Sequence, residues 1–267
     1  MRLIKLLQKT GKENIPLGRG ESHGINPFPS DWRARPAIVN VLPWLINLPP
    51  SPDPYALPSA VDLMIEQLHK ASRPVKIIMT GPCSNLVLAL EKDPSISPKI
   101  KEVIWMGGAF RVGGNVQTYQ HNGSAEWNVY WDPVSSLKLL QYELPLVMVP
   151  LDVTNLVPVD YAFLSKLAEQ MEYDYSNLAS QFWALTVDNI PSYHYIYYMW
   201  DVLATSYLAL SDYFEVETVK ATVAIHPPNA GQTVLEEAGY AVKIATNVDK
   251  AVFYQYLFNQ FKANFNA

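Results

Sequence analysis

The feature that most constrains the fold of this chain is a series of short apolar segments that each end in turn-forming or polar residues. These segments are residues 75–79, 103–106, 144–151, 218–225 and 240–245. Continuous apolar runs of this kind are typical of strands in a sheet that is covered on both faces. They predict a sheet that is buried between layers of helices.

Helical patterns separate the apolar segments along the chain. They occupy residues 58–71, 84–92, 132–141, 161–187, 197–210 and 249–263. Strands that alternate with helices favour βαβ units. The sequence therefore predicts an α/β fold with a mostly parallel, open sheet flanked by helices. Asp132, which Pro133 follows, is predicted to cap the helix that begins there.

Length and composition indicate the class of protein. The 267 residues suit one α/β domain over residues 1–267, and 49% hydrophobic against 17% charged residues favours a compact globule. A formal net charge of −5 gives no reason to expect nucleic acid or anionic membrane as a partner. The single cysteine, Cys83, indicates a reducing compartment. Without an apolar span or a signal peptide, the expected location is the cytoplasm.

One segment interrupts the alternation of strands and helices. Residues 26–58 contain nine prolines, together with Trp32 and Trp44. Proline blocks helix and central strand, whereas tryptophan needs a surface on which to pack. The segment is therefore predicted to be a long ordered loop, or a lid over a ligand site.

Several turn sequences lie beyond the ends of the predicted strands, where α/β sheets gather their ligands. Thr80-Gly81-Pro82 follows the first apolar segment, and Gly107-Gly108 follows the second, with Asn115 shortly after. Glycine at such positions lets the backbone approach a ligand closely. Taken alone, these sequences are more typical of ordinary strand-to-helix turns.

A carboxylate and an amide stand two residues apart at Glu126 and Asn128. In an extended chain the two side chains would point the same way, which suits a site that holds several hydroxyl groups. The alternative is a solvated loop, although the neighbouring Trp127 and Trp131 disfavour full exposure. We therefore expect a functional role for this pair.

Trp200 and Asp201 begin an otherwise apolar helix. A carboxylate near a helix N-terminus is electrostatically favoured, and it can equally be a metal ligand aimed into a cleft. On pattern alone, a capping role for Asp201 and a core position for Trp200 are favoured.

Together, these sequences resemble the nucleoside hydrolase family. Its members carry a TGPxxN turn, a strand that ends in MGG, then GN, an ExN pair and a late aspartate. The resemblance also includes Pro150-Leu151-Asp152-Val153-Thr154-Asn155, Asn26-Pro27-Phe28-Pro29 with Trp32-Arg33, and the stretch at 243–253. It spans nearly the whole chain and is carried by the combination of motifs.

Two details resemble the purine-specific (inosine-adenosine-guanosine) branch of that family. Tryptophan, not histidine, precedes the late aspartate, and residues 125–133 match the branch's AEWNxYWDP sequence. The resemblance implies that Trp32 and Trp200 sandwich the purine and raise its basicity, so that solvent can protonate the leaving group. His194 could have a minor role near the base. The other histidines are predicted to be surface or packing residues: His23, His69, His121 and His226.

The resemblance further implies hydrolysis of the N-glycosidic bond of purine ribonucleosides to free base and ribose. Ca²⁺ would hold the attacking water and the ribose hydroxyls while an oxocarbenium-like transition state forms. The Thr80 backbone carbonyl and the Asp201 carboxylate would be calcium ligands. The ribose would be lined by Met106, Asn115, Glu126 and Asn128. A homodimer or homotetramer is expected, as is common in the family.

The chain departs from the family at its start. The family opens with a strand and a DxDxxxDD cluster that supplies two more calcium ligands, a ribose contact and the general base. Nothing in this sequence corresponds to that strand and cluster, and residues 1–7 align with the helix that follows them in the family. Two hypotheses follow: an incomplete gene model, or a shortened paralogue that binds purine nucleosides without turnover. A third is a structural partner that completes its sheet with another chain.

Overall fold

A computed structural model describes residues 2–21, 24–27, 56–118, 120–188 and 196–265. The predicted loop at 26–58 lies mostly outside these residues, and so do Trp32 and His194. The strands are β1 (Val75–Met79), β2 (Ile100–Met106), β3 (Leu146–Val149), β4 (Phe214–Val223), β5 (Thr233–Leu235) and β6 (Tyr240–Val248).

The strands form one six-stranded sheet in the order β1-β2-β3-β6-β4-β5. Strands β1, β2, β3 and β6 run parallel to one another, whereas β4 runs antiparallel to its two neighbours, β6 and β5. The predicted α/β class with a mostly parallel sheet is therefore confirmed. Strand β5 was not predicted, because its three residues form a strand only through their pairing with β4.

Helices flank the sheet. They are α1 (Arg2–Lys9), α2 (Ala60–Lys70), α3 (Ser84–Lys92), α4 (Trp127–Trp131), α5 (Pro133–Gln141), α6 (Leu151–Thr154), α7 (Tyr161–Ala168), α8 (Asp174–Asp188), α9 (Trp200–Leu210) and α10 (Lys250–Phe261). Short 3₁₀ turns lie at Pro94–Lys99 and Ser211–Tyr213. No helix in the described part of the chain is both long and apolar enough to cross a membrane.

Local side-chain hydrogen bonds explain where several helices begin or end. The Asp132 carboxylate accepts from the Ser135 backbone N–H at 3.0 Å, so the predicted cap of α5 is confirmed. The helical region predicted at 161–187 forms two helices, because the chain turns between α7 and α8. At that turn the buried Gln170 amide donates to the Ser176 hydroxyl at 2.9 Å and to the Phe258 carbonyl at 3.2 Å.

The sheet separates two apolar cores, and β2 contributes to both. Ile104 and Met106 pack on one side, with α9 and α10, whereas Val103 and Trp105 pack on the other, with α3 and α5. This alternation follows from the two-residue period of a strand. Burial on both faces accounts for the continuous apolar runs in the sequence.

Trp105 joins this core to the end of β1. Its side chain is 0% exposed, and its indole N–H donates to the Gly81 carbonyl at 2.9 Å. We expect Trp105→Ala to lower the free energy of unfolding by about 3–5 kcal/mol, because it leaves a large cavity. Urea denaturation measures this loss, with Leu208→Ala, at a side chain 45% exposed, as the control. A loss below about 1 kcal/mol would show that the core relaxes around the cavity.

Candidate functional site

The site is built at the carboxyl ends of β1, β2 and β3. In the sheet register Met79 pairs with Trp105, and Met106 pairs with Val149. Thr80, which is exposed, therefore leaves β1 at the same edge at which Met106 ends β2. This is the edge at which open α/β sheets bind their ligands.

Glu126 joins the start of α4 to the glycine turn that follows β2. It is 2% exposed and is the N-cap residue of α4. Its carboxylate accepts from the backbone N–H groups of Asn128 at 2.9 Å, Val129 at 3.3 Å and Gly108 at 3.2 Å. These bonds fix the carboxylate in a pocket that excludes water.

Asn128 and Asn115 complete this group. The Asn128 side-chain amide donates to the Met106 carbonyl at 2.9 Å and contacts its sulfur at 3.3 Å. The Asn115 side-chain oxygen accepts from the Trp127 backbone N–H at 3.1 Å. Direct hydrogen bonds thus link Glu126 with Asn128 and Asn128 with Met106, and Asn115 joins them through Trp127. The family resemblance had assigned these four residues to a ribose: Met106, Asn115, Glu126 and Asn128.

The extended conformation predicted at Glu126 and Asn128 is found at Glu126 but is wrong for Asn128, because helix α4 begins at Trp127. The Glu126 side chain turns back to cap the helix, whereas the Asn128 side chain reaches β2. Both side chains still bond at the end of β2, because Glu126 bonds to the glycine turn and Asn128 to the residue before it.

Close backbone contact explains one glycine beside these residues. A Cβ atom on Gly114 would lie 2.1 Å from the Ala125 carbonyl oxygen. That carbonyl accepts from the Asn115 N–H at 2.9 Å and from the Val116 N–H at 3.1 Å. Glycine therefore lets two stretches of chain bond side by side, which holds Asn115 next to α4.

Asp201 and Trp200 lie in the first turn of α9, which packs against β2. Trp200 is partly buried against the core, and the Tyr197 ring meets it edge-on at 4.7 Å between ring centroids. Its indole N–H is buried without a hydrogen-bond partner in the described part of the chain. Asp201 keeps part of its surface exposed, although its carboxylate is partly desolvated, and it does not cap the helix, whose N-cap residue is Met199.

Burial perturbs both carboxyl groups at this edge. Loss of hydration raises the pKa of Glu126 to about 7, against the lowering effect of its backbone hydrogen bonds, and the Asp201 charge adds to the rise. Partial desolvation raises the pKa of Asp201 to about 6. Two carboxyl groups with raised pKa values at one cleft are typical of a functional site.

The raised pKa of Glu126 predicts how stability depends on pH. Between its ordinary value of 4.5 and about 7, the folded chain binds more protons than the unfolded chain, so stability falls as pH rises. Between about pH 5 and about pH 8, the free energy of unfolding should fall less in Glu126→Gln than in the unchanged chain. The difference should be about 2–3 kcal/mol. Urea titrations at both values measure it, and Glu236→Gln, at an exposed carboxylate, is the control. Equal decreases in Glu126→Gln and the unchanged chain would contradict the prediction.

Two side chains without a predicted role hold the turn after β2. The Asp152 carboxylate accepts from the backbone N–H groups of Phe110 at 2.9 Å and Arg111 at 2.8 Å. The Thr233 hydroxyl accepts from the Ala109 N–H at 3.0 Å and donates to its carbonyl at 2.8 Å. Asp152 could have been found, because it directly follows a predicted strand. Thr233 could not, because it lies on the unpredicted β5.

The carboxylate of Asp201 has the properties of a cation ligand. No donor in the described ranges hydrogen-bonds to it, and partial desolvation disfavours its charge unless a cation compensates. The same ranges contain no group of three or more histidine, cysteine, aspartate or glutamate residues that could hold a metal. Asp201 therefore fits a cation, although the described histidine, cysteine, aspartate and glutamate side chains form no cluster of three or more around one.

The fold is that of an α/β protein whose parallel strands end at the edge where open α/β sheets bind their ligands. The family model described as inosine-uridine preferring nucleoside hydrolase matches residues 2–255. The chain belongs to that family.

Solved structures have the same fold. The inosine-uridine preferring nucleoside hydrolase from Bacillus anthracis matches with a TM-score of 0.83 at 30% identity, over 97% of this chain and 83% of that one. A purine-preferring ribonucleoside hydrolase from Gardnerella vaginalis matches with a TM-score of 0.77 at 20% identity, over 98% of this chain and 84% of that one.

Two curated relatives are named pyrimidine-specific ribonucleoside hydrolase RihA. The protein of Salmonella enteritidis is 34% identical over 124 residues, which are 45% of this chain and 38% of the relative. That of Escherichia fergusonii is 36% identical over 158 residues, which are 58% of this chain and 46% of the relative. The matches span less than half the length of these relatives.

Proposed function

We propose that this protein hydrolyses the N-glycosidic bond of purine ribonucleosides to free base and ribose. The observation that carries the proposal is the hydrogen-bonded group of Met106, Glu126 and Asn128, on which the Asp201 charge acts. This group would bind the sugar, and Trp200, which precedes Asp201 in the chain, would contact the base. Family membership supports the reaction class.

The sugar is held by acceptors whose positions the protein fixes. Asn128 uses its amide N–H on the Met106 carbonyl, which orients its side-chain oxygen to accept from a hydroxyl group. Glu126, held by three backbone N–H groups, offers further acceptor capacity in a water-poor pocket. Rigid acceptors of this kind bind a polyhydroxylated ring without reorganisation, which favours catalysis.

The base is held by the indole of Trp200. Purine is the larger base and stacks more extensively on an indole face. A purine that gains a proton as it leaves carries positive charge, and an indole face attracts a cation by its quadrupole. Trp32, which lies outside the described residues, would supply the second face. Because the RihA relatives are named pyrimidine-specific, the purine preference rests on the tryptophan before Asp201.

Calcium is the metal that this site would use. The Asp201 carboxylate and the Thr80 carbonyl would be two of its oxygen ligands, and calcium takes about six to eight. When bound, the ion would polarise the attacking water and clamp the sugar hydroxyls. A cluster of described histidine, cysteine, aspartate or glutamate side chains does not supply the remaining ligands.

Comparison of inosine with uridine tests the proposal. Because base–aromatic stacking contributes about 1–3 kcal/mol, we expect kcat/KM for inosine to exceed that for uridine by about 10-fold or more. A reducing-sugar assay with calcium measures both. Equal rates, or faster release of ribose from uridine, would contradict the purine preference.

A second candidate is a purine-nucleoside-binding protein without turnover. It is favoured by the absence of a third acidic residue next to Asp201 and Glu126 in the described ranges, because hydrolysis needs a base to activate water. Calorimetry with inosine, alongside the ribose assay, distinguishes the two candidates. Binding without release of ribose supports the second.

A further inference from the structure

We propose that His121 is a positioning residue that, as a neutral imidazole, holds the sugar-binding side chains in register with the sheet. The inference rests on the proposed nucleoside site. From the sequence His121 was expected to be a surface or packing residue. In the structure both of its ring nitrogens form hydrogen bonds to backbone groups.

The two bonds define the protonation state of the ring. Nε2 lies 2.9 Å from the Ala230 carbonyl oxygen, which can only accept, so Nε2 carries the proton. Nδ1 accepts from the Gly123 backbone N–H at 3.0 Å and must be bare. Only the neutral Nε2–H tautomer satisfies both contacts.

His121 lies in a backbone turn that needs external support. Gln120 has φ of 70° and Gly123 has φ of 81°, so two residues of the turn are left-handed, and Gln120 has a side chain that disfavours this. Such conformations persist where the surrounding contacts over-determine them. His121 supplies two of these contacts, and the Asn122 N–H, which donates to the Pro228 carbonyl at 2.9 Å, supplies a third.

These contacts join the turn at 120–123 to the connection between β4 and β5, residues 224–232. That connection also packs closely against α4. Its Gly231 leaves no room for a side chain, because an added Cβ atom would lie 2.5 Å from the Tyr130 Cα. The His121 ring packs edge-on to the Tyr130 ring at 5.0 Å between centroids. The connection between β4 and β5 therefore supports α4 and the turn before it together.

Only a few residues separate the turn at 120–123 from the sugar-binding groups. Ala125, whose carbonyl accepts from the N–H groups of Asn115 and Val116, follows the turn closely, and Glu126 caps α4 directly after it. The end of the same connection leads to Thr233, whose hydroxyl holds Ala109 beyond β2. His121 thus sets the position of α4 relative to the strand to which Asn128 bonds.

The test compares His121→Ala with His226→Ala in the whole chain, because His226 is an exposed histidine of the same connection. Backbone amide signals of Trp127 and Asn128 report directly on the bonds to Asn115 and Glu126. We expect His121→Ala to shift both signals and to lower kcat/KM by about 10-fold or more, with His226→Ala unchanged. Nitrogen NMR of the ring should show a proton on Nε2 only. Unmoved signals, or a proton on Nδ1, would overturn the proposal.

Two further variants separate positioning from packing. His121→Asn keeps an acceptor for the Gly123 N–H, whereas His121→Leu fills the space without hydrogen bonds. Positioning predicts amide signals and kcat/KM closer to wild type in His121→Asn; the reverse order would show a packing role and overturn the proposal. If the unaltered chain releases no ribose, the proposed hydrolysis fails. The amide signals and the tautomer then still decide the role of His121.

Discussion

Asp201→Asn is expected to lower kcat/KM for inosine by about 10³-fold, because a metal ligand at the reacting sugar contributes several kcal/mol. The same substitution should leave the free energy of unfolding unchanged or slightly higher. Desolvation raises the pKa of Asp201, so the charged form is disfavoured in the folded chain at neutral pH, and an isosteric amide removes that cost. Steady-state kinetics measure kcat/KM, and urea denaturation of the same preparation measures the free energy of unfolding.

Asp212→Asn is the matched control, because Asp212 is an exposed aspartate in the 3₁₀ turn that follows α9. It should retain wild-type kinetics and wild-type stability. If Asp201→Asn kept more than about a tenth of the activity, Asp201 would not be a ligand of the reacting assembly. If instead it lost stability as well as activity, the carboxylate would be a structural group.

Trp200→Ala is expected to lower kcat/KM for inosine by about 5- to 150-fold, which corresponds to the 1–3 kcal/mol of one base–aromatic stack. The effect on uridine should be smaller, because a pyrimidine covers less of the indole face. The ratio of the two kcat/KM values therefore falls. Competition between inosine and uridine in one reaction measures this ratio directly.

Trp200 also packs against the core, so Trp200→Ala needs a control variant that keeps this packing. Trp200→Phe keeps an aromatic face and most of the apolar contact, and it should retain a preference for inosine that Trp200→Ala loses. Thermal unfolding of both variants shows how much of the loss in kcat/KM comes from lost stability. A wild-type inosine-to-uridine ratio in folded Trp200→Ala would rule out stacking on this ring.

Much of the fold could be predicted because local pattern and tertiary environment agree. Strand β1 and helix α3 have the predicted bounds, since a continuous apolar run and an amphipathic helix are both signalled locally. Prediction failed where distant contacts decide. The turn between α7 and α8 depends on the Gln170 amide, which bonds to a carbonyl of α10 far along the chain.

The candidate site shows the same division. Position after a predicted strand was enough to locate Thr80 and the glycine turn, and proximity in sequence indicated Glu126 and Asn128. The short helix α4 was missed, because its N-cap is a glutamate whose side chain is held by Gly108 from another loop. The bonds of His121 and Thr233 depend on how the connection between β4 and β5 packs, and local sequence carries no signal for that.

The site contains two desolvated carboxyl groups, those of Glu126 and Asp201. The described residues do not fully compensate the negative charge of either. Glu126 has backbone N–H donors but a pKa of about 7, and Asp201 has a pKa of about 6 and no hydrogen-bond donor in those ranges. Such an arrangement costs stability when both groups are charged. A bound cation and a polyhydroxylated sugar would offset that cost, so ligand and calcium should stabilise the protein together.

Release of ribose from inosine by the purified chain, with calcium and then with excess chelator, tests the proposed hydrolysis most directly. We expect reducing sugar to appear in proportion to free base when calcium is present, and the rate to fall to background with chelator. Inosine left intact under both conditions, at protein concentrations that give a folded spectrum, would contradict hydrolysis by this chain.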